Sequence, residues 1–489
     1  MNLDEAVNKI HCADALAFLH QLPNESIDLI ATDPPYGLQF MGKDWDKAVP
    51  SVEVWRECLR VLKSGAFAFI MCIPRLDCLS KMAQNLQSAG FDIGFTPVYW
   101  AYASGFPKSE NISLMVDKQE CARQLTEKLG RPPTKEEFKE AWKAFRKVIF
   151  VKKKLHISTP STNEGWQRPS HYDENGQPKR IMEVLSPTTD DAKNLEGSYG
   201  GFQPKPAVEV IIVAMKPLSE KTYVDQALTN KKGVTWLDDG RIPLEPYSYS
   251  KGPGGTHGNG LIYGTAKDEM RNKPYESHPK GRFPANLLVS DDALNDGQEH
   301  GGQGHFNKKL TKMGETLFQG GWKDIERSAD IQLKDKGSFS RYFDLDHWFE
   351  ERLKKLPFEV QRTFPFLVVS KASKAERDKG CENLEKKRCG MMEDDNYPIK
   401  TGSGTLRNTQ RRNVHPTVKP LKLMSYLITL GSRERDIVLD PFVGTGTTCV
   451  AAKMLGRRFI GVDIEAEYCR IAEERLKSVT QTTLLEMLE

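Results

Sequence analysis

The chain has 489 residues, of which 38% are hydrophobic and 28% charged, and a formal net charge of +4. That length supports two or three domains around a large core. No apolar run approaches the roughly 20 residues of a bilayer span, and the start "MNLDEAVNKI" lacks the basic and apolar regions of a secretory signal, which points to the cytoplasm. The nine cysteines are scattered without a CxxC pair, which argues against structural zinc and for a reducing compartment.

The first 110 residues alternate between strands and helices. "NKIHC" and "SIDLIAT" read as strands around a short helix. "VPSVEVWRECLRVLKSG" reads as a helix, "AFAFIMCIP" as a strand, "CLSKMAQNLQSAG" as a helix closed by Gly90, and "FDIGFTPVYWA" as a strand. This alternation predicts an α/β domain with a parallel sheet. Between Arg131 and His156, nine Lys and Arg face three Glu, and Phe138, Trp142 and Phe145 recur at helical spacing. An amphipathic helix accounts for the aromatics. The run "VKKK" at 151–154 reads either as a solvated face or as a phosphate contact.

Further on, "PAVEVIIVAMKPL" (206–218) is a strong strand, and "RTFPFLVVSKAS" (362–373) is another. The stretches 247–264 and 300–309 are rich in Gly and Asn and read as long loops, and 390–413 as a surface linker. Order returns at the end. A helix follows Pro420, "DIVLDPFVGTGTTCVAAKMLG" reads as strand, glycine loop and helix, and "RRFIGVDIE" and "AEYCRIAEERLKSV" close the chain as strand and helix.

Two motifs carry chemistry. "IATDPPY" (30–36) ends a buried strand in an acid, two prolines and a ring. The prolines fix two φ angles and remove two backbone donors, and Pro34 pushes Asp33 toward extended geometry. Such a strand end is either a rigid exit or a clamp at the carboxyl edge of a sheet, where open α/β folds bind ligands. "VLDPFVGTGTT" (438–448) lacks the lysine of a P-loop. Where a dinucleotide fingerprint has its third glycine stands Cys449. What remains is a cofactor approached closely at Gly444 and Gly446, without a pyrophosphate, and with Asp463 placed for two ribose hydroxyls. A nucleoside with an uncharged linkage fits that description.

Together, "DPPY", "HPTVKP" and "DPFVGTGTT", with the strand-end acid Asp463, resemble the S-adenosylmethionine-dependent amino-methyltransferases of DNA, which modify adenine N6 or cytosine N4. The catalytic motif precedes the cofactor motif, as in the circularly permuted β class, whose target-recognition region lies between them. The resemblance covers roughly 1–110, 200–220 and 360–480. It implies a Rossmann-like methyltransferase sheet, circularly permuted, with a loop-rich insert. Residues 1–220 would form the first part of the core, interrupted by a basic insert at about 111–200. Residues 221–400 would read the target, and 401–489 would complete the core.

The resemblance carries over residue by residue. Asp33, Pro34, Pro35 and Tyr36 match the catalytic tetrapeptide. Asp440, Pro441, Phe442, Gly444 and Gly446 match the loop around the methionine part of the cofactor, and Asp463 the ribose-binding acid. Thr417 and Lys419 match a segment near the cofactor carboxylate. Asp14 matches an acid on the adenine side, although "CAD" stands where "GD" is common, and a helix cap is its other reading. No metal is implied.

An exocyclic amino group is a poor nucleophile because its lone pair is delocalised into the base. Acceptors on its two hydrogens, Asp33 and the Pro34 carbonyl, turn it toward sp³ geometry, and the prolines hold them in place beforehand. Tyr36 offers a face for stacking on a base flipped out of the duplex. The loop 37–46 reads either as a lid or as an ordinary connection. No Pro-Cys pair exists for a covalent route to cytosine C5.

"DPPY" leans toward adenine N6, with cytosine N4 as the alternative. An enzyme acting on another planar amide, such as a protein glutamine, usually has Asn in place of Asp33. A non-catalytic DNA-binding relative would be expected to lose the acid or the glycines. The expected partner is double-stranded DNA and not a membrane. A homodimer and a separate restriction endonuclease stay open.

Overall fold

The structure is a computed structural model. It describes residues 1–37, 47–102, 109–153, 181–202, 207–243, 281–290, 343–357, 374–385, 410–415 and 417–479. It also describes 252–253, 274–275, 294, 300–301, 336–338, 340, 360 and 387–388. The expected strand 362–373, most of the loop 37–46 and the side chains of 151–154 lie outside the described residues. So do almost all of the loops 247–264 and 300–309.

Among the described residues, eight strands build the main sheet: β1 (Lys9–Cys12), β2 (Leu29–Thr32), β3 (Phe67–Cys72), β4 (Val98–Ala101), β5 (Val208–Met215), β6 (Leu287–Val289), β7 (Ile437–Asp440) and β8 (Arg458–Asp463). Their spatial order is β1-β8-β7-β2-β3-β5-β4-β6. The last two strands of the chain therefore sit inside the sheet that the first strands begin. β7 runs parallel to β2, with Leu439 beside Ile30. The apolar runs "LIAT", "FAFIMC" and "IVLD" are wholly buried, as strands covered on both faces must be.

Helices lie on both faces. α1 (Ala15–Leu19), α2 (Val52–Val61) and α3 (Leu76–Ala89) bury Leu19, Trp55 and Met82 in one core. Gly90 closes α3 in the left-handed region at φ 104°, as expected. On the other face, α7 (Leu421–Gly431) and α8 (Thr447–Met454) share a core with Trp348 and Phe349 of α6 (Leu345–Lys354). All eleven residues of α7 are buried, because α6 covers the side turned away from the sheet. The final helix, α9 (Ala466–Lys477), follows β8.

The sheet is mixed, not all parallel as the alternation suggested. β5 runs antiparallel between β3 and β4. The chain leaves β4 for the excursion at 105–206 and returns beside it, where Tyr102 N donates to the Ala207 carbonyl at 2.9 Å. Because the chain returns beside the end of β4 where it left, β5 starts at the sheet's carboxyl edge and runs back.

The chain divides into two compact units, one of 1–104, 207–385 and 415–489, the other of 105–206 and 386–414. These limits differ from the expected boundaries near 220 and 400. The stretch 221–400 supplies β6 to the main sheet and α6 to its helical layer. In the second unit, α4 (Ile112–Leu129) is capped by Asn111, and α5 (Lys135–Phe145) opens with a capping box of Thr134 and Glu137. The expected aromatic stripe is present: Phe138 stacks on Trp142 and Trp142 on Phe145, at 6.5 and 6.1 Å between ring centres. Lys147–Lys153 pairs antiparallel with Ile181–Ser186.

Candidate active site

The chain after β7 turns toward β8, and the chain after β2 toward β3, so the strand order reverses between these two neighbours. Open α/β sheets bind ligands at such a point, outside the carboxyl ends of the strands. Both sequence motifs fall there: "DPPY" leaves β2 and "DPFVGTG" leaves β7. Thr32 Oγ1 donates to Asp440 Oδ1 at 2.6 Å and joins the two exits. Thr448 Oγ1 donates to Asp440 Oδ2 at 2.6 Å, and Phe442 N to Oδ1 at 3.1 Å. Burial pushes the Asp440 carboxyl up to about 7, against these three donors.

The glycine loop needs its glycines. Gly444 has φ 51° and Gly446 φ 81°, in the left-handed region. A Cβ on Gly446 would meet the Ala472 Cβ at 2.8 Å, and one on Gly444 would meet His415 Nε2 at 3.1 Å. Arg475 of α9 braces the loop, donating to the Thr445 carbonyl at 2.5 Å and to Thr447 Oγ1 at 3.1 Å. Asp463 ends β8 and ties it to the loop. Its Oδ2 accepts from Gly444 N at 2.8 Å and its Oδ1 from Glu465 N at 2.9 Å. A carboxylate has about four acceptor positions, so each oxygen keeps capacity for a hydroxyl. Burial raises the Asp463 carboxyl, and the Glu465 and Gly444 backbone donors oppose it.

Thr417 N donates to His415 Nδ1 at 3.2 Å. Burial, with the charges of Arg377, Lys419 and Arg475, lowers His415 to about 3, so its ring is neutral. Nδ1 is an acceptor, which leaves the ring proton on Nε2, the atom facing Gly444.

Asp33 sits among polar groups. Tyr36 Oη donates to its Oδ1, and Lys419 Nζ lies 2.7 Å from its Oδ2. The same ammonium lies 3.2 Å from Glu209 Oε2 and donates to Tyr36 Oη at 3.3 Å. Tyr102 Oη donates to Glu209 Oε1 at 3.5 Å. Burial raises Asp33, and Lys419 opposes it. Burial also pulls Lys419 down, but the two carboxylates outweigh it and hold the ammonium charged. Gly37 follows at φ 74°, and a Cβ there would meet the Ala48 and Val49 backbone at 3.2 Å, so the chain turns away from the motif through a glycine.

The structure thus brings Asp33, Pro34, Pro35 and Tyr36 to the same edge as Asp440, Pro441, Phe442, Gly444, Gly446 and Asp463. Phe442 packs its ring edge-on against Trp55 at 6.2 Å. Lys419 stands with Asp33. Asp14, two residues beyond the end of β1, caps α1 by accepting from Ala17 N at 2.9 Å. Thr417 is exposed. Glu209, Tyr102, His415 and Arg475 were not anticipated. The signal for Glu209 was a single acid in the apolar strand "VEVIIVAM". Among the described residues, no group of three or more His, Cys, Asp and Glu is placed to hold a metal ion. None of the described helices is long and apolar enough to cross a membrane.

A family model described as DNA methylase, of the N6 and N4 methyltransferases, matches residues 27–474. The chain belongs to the DNA methylase family. Part of it is similar to the type II methyltransferase M2.DpnII of Streptococcus pneumoniae, 50% identical over 82 residues, or 17% of this chain and 31% of that protein. It is likewise similar to the type II methyltransferase M2.LlaDCHI of Lactococcus lactis subsp. cremoris, 50% identical over 76 residues, or 16% and 28% of the two chains. The chain thus spans about a third or less of the length of these curated relatives. Among solved structures, M1.HpyAVI aligns at 13% identity and a TM-score of 0.32, over 96% of this chain and 98% of its own. The PvuII cytosine-N4-specific DNA methyltransferase aligns at 12% identity and a TM-score of 0.35, over 95% and 85%.

S-adenosylmethionine is the cofactor of this family, and the residues present fit it. The glycine loop carries no lysine or arginine for a pyrophosphate. Asp463 keeps acceptor capacity for ribose hydroxyls, and the exposed Ile464 beside it offers an apolar face to a purine.

Proposed function

We propose that the protein is a site-specific DNA methyltransferase that transfers a methyl group from S-adenosylmethionine to the N6 amino group of adenine, in the permuted β class. The observation that carries this reading is the juxtaposition of Asp33 and the glycine loop at one strand-order reversal, locked by the Thr32–Asp440 hydrogen bond. An acceptor for an amino group and a cradle for a nucleoside cofactor then share one edge. The motif order supports the permuted class, since β7 and β8 come last in the chain and pair inside the sheet.

S-adenosylmethionine supplies an electrophilic methyl group on a positively charged sulfur. The chain's residues prepare the amine. Asp33 and the Pro34 carbonyl accept the two amino hydrogens of a base swung out of the duplex, which frees the nitrogen lone pair. Tyr36 stacks on the base, a contact worth about 1–3 kcal/mol. With the methyl group delivered to it, and the bonding pair left on the donor's sulfur, the amino nitrogen would have one proton to lose. Asp33 takes that proton and passes it to water. Asp440, Gly444, Gly446 and Asp463 hold the cofactor, with Pro441, Phe442, Thr417 and Asp14 around it.

Cytosine N4 is the second reading, since the family model spans both amino groups. Residues within 221–400 would read the target sequence, and the protein would work in the cytoplasm, with a homodimer or a separate restriction endonuclease as further partners. The test is a nucleoside digest of DNA methylated by the purified chain. N6-methyladenine is expected. N4-methylcytosine would reverse the base assignment, and no transfer to DNA would overturn the function.

A further inference from the structure

Lys419 Nζ occupies the position an amino group would need. It lies 2.7 Å from Asp33 Oδ2 and 3.3 Å from Tyr36 Oη, and 5.5 Å from the centre of the Tyr36 ring. A base amino nitrogen must reach the same carboxylate beside the same ring. On its other side the ammonium meets Glu209, whose buried Oε2 lies 3.2 Å from Nζ, so one cation already bridges the two carboxylates. The Glu209 contact is the longer of the two, 3.2 Å against 2.7 Å, so the ammonium sits closer to Asp33. Glu209 reaches the site because β5 runs antiparallel. Its second residue therefore lies at the carboxyl edge, opposite Trp100 of β4.

We propose that Lys419 is a placeholder for the substrate's amino group and that Glu209 is the positioning residue that receives it when the base enters. The inference rests on the reading of Asp33 as the amino-group acceptor. In the arrangement seen, one cation lies between two carboxylates, and Asp33 is neutralised in a buried place. A base arriving at Asp33 displaces the ammonium. A buried ammonium without a partner is strongly unfavourable, and Glu209 Oε2 supplies the partner with a shift of one side chain. Asp33 is then left as the more negative group, facing the amino hydrogens and the departing proton. Without Glu209, Lys419 has nowhere to go and competes with the base.

The groups that set the charge on Asp33 are Tyr36 on its own loop, Lys419 before α7, Glu209 of β5 and Asp440 of β7. Tyr102 and Cys72 lie around Glu209 and Asp33. Lys419 lowers the Asp33 carboxyl and Glu209 raises it. Loss of either partner should therefore move the acid limb of activity in opposite directions.

The experiment compares the full chain with Glu209→Gln, Glu209→Asp and Lys419→Met. It measures single-turnover methyl transfer from S-adenosylmethionine to unmethylated plasmid DNA across pH, and cofactor affinity by titration. Glu209→Gln should bind the cofactor as the unaltered chain does, lose at least about tenfold in transfer rate, and shift its acid limb to lower pH. Lys419→Met should shift the limb to higher pH and regain rate in alkali. Glu209→Asp should recover part of the rate. A Glu209→Gln chain with unchanged rate and limb, or limbs shifted the same way in both variants, overturns the inference alone. A Glu209→Gln chain that cannot bind cofactor, with no recovery in Glu209→Asp, assigns Glu209 to stability and also overturns it. Absence of transfer by the unaltered chain removes the underlying reading, and the inference with it.

Discussion

Thr32 Oγ1 and Asp440 Oδ1, 408 positions apart in the chain, lie 2.6 Å apart at the reversal of strand order. The bond makes the exits of β2 and β7 one rigid piece. It also places a carboxyl at the centre of the site that, among the described residues, is held by the hydroxyls of Thr32 and Thr448 and by Phe442 N rather than by a cation.

That placement has a pH signature. Burial raises Asp440 from the ordinary carboxylate range to about 7 in the folded chain. The folded state therefore binds a proton that the unfolded state gives up at about pH 4. The contribution is fully present below about pH 4 and falls as pH rises to about 7, by at most about 1.4 kcal/mol per pH unit. Asp440→Asn should flatten this part of the stability curve. Urea denaturation of both chains across that window checks it, and equal slopes would count against a buried neutral acid.

Gly446 should tolerate no side chain. Its φ of 81° and the 2.8 Å approach to the Ala472 Cβ both oppose Ala. Gly130, at φ 66° with nothing within 4 Å, has the backbone strain alone. Gly446→Ala should lose about 1–3 kcal/mol of stability and weaken the cofactor, whereas Gly130→Ala should lose about 1 kcal/mol and leave the cofactor alone. Denaturation and cofactor titration separate the two.

Much of this site was legible because backbone chemistry wrote it. Pro34, Pro35, Gly444 and Gly446 constrain φ, and a residue that fixes or frees φ announces itself in sequence. The strands bearing them were legible as apolar runs of strand length. Side-chain partnerships across the sheet were not. Glu209 is an isolated acid in an apolar strand, and only the antiparallel course of β5, set by the excursion at 105–206, carries it to Asp33. Lys419 was legible as part of "HPTVKP" but not as the partner of Asp33, because that pairing joins α7's entry to the exit of β2. Asp14 is a case where sequence offered two roles. Both of its readings could be made from sequence, the acid on the cofactor's adenine side and the helix cap, and the side chain is seen capping α1. β6 and α6 were hidden in a region whose glycines and charges masked short apolar runs.

Asp463 should matter twice. It ties Gly444 N to the end of β8 and keeps acceptor capacity for ribose hydroxyls. Asp463→Ala should weaken S-adenosylmethionine by about 1.5–3 kcal/mol, and it leaves the Gly444 and Glu465 donors without their carboxylate. Asp463→Asn retains one acceptor oxygen and should fall between. Equilibrium titration of folded variants decides, and unchanged affinity would reject the ribose assignment.

Asp33 is the sharpest test of the chemistry. Asp33→Ala should fold, because the residue follows the end of β2 and Lys419 keeps Glu209 as its counter-charge. It should bind the cofactor, since Asp440, Asp463 and the glycine loop are untouched. Transfer to DNA should fall about a hundredfold or more, the loss expected for one preorganised polar group. Tyr36→Ala should spare cofactor affinity and slow the base-dependent step, because stacking acts on the flipped base. Single-turnover transfer and cofactor titration on both variants separate these effects. Parental rates in Asp33→Ala would mean that Asp33 does not hold the amino group, and that the two prolines of "IATDPPY" serve only as a stiff exit from β2.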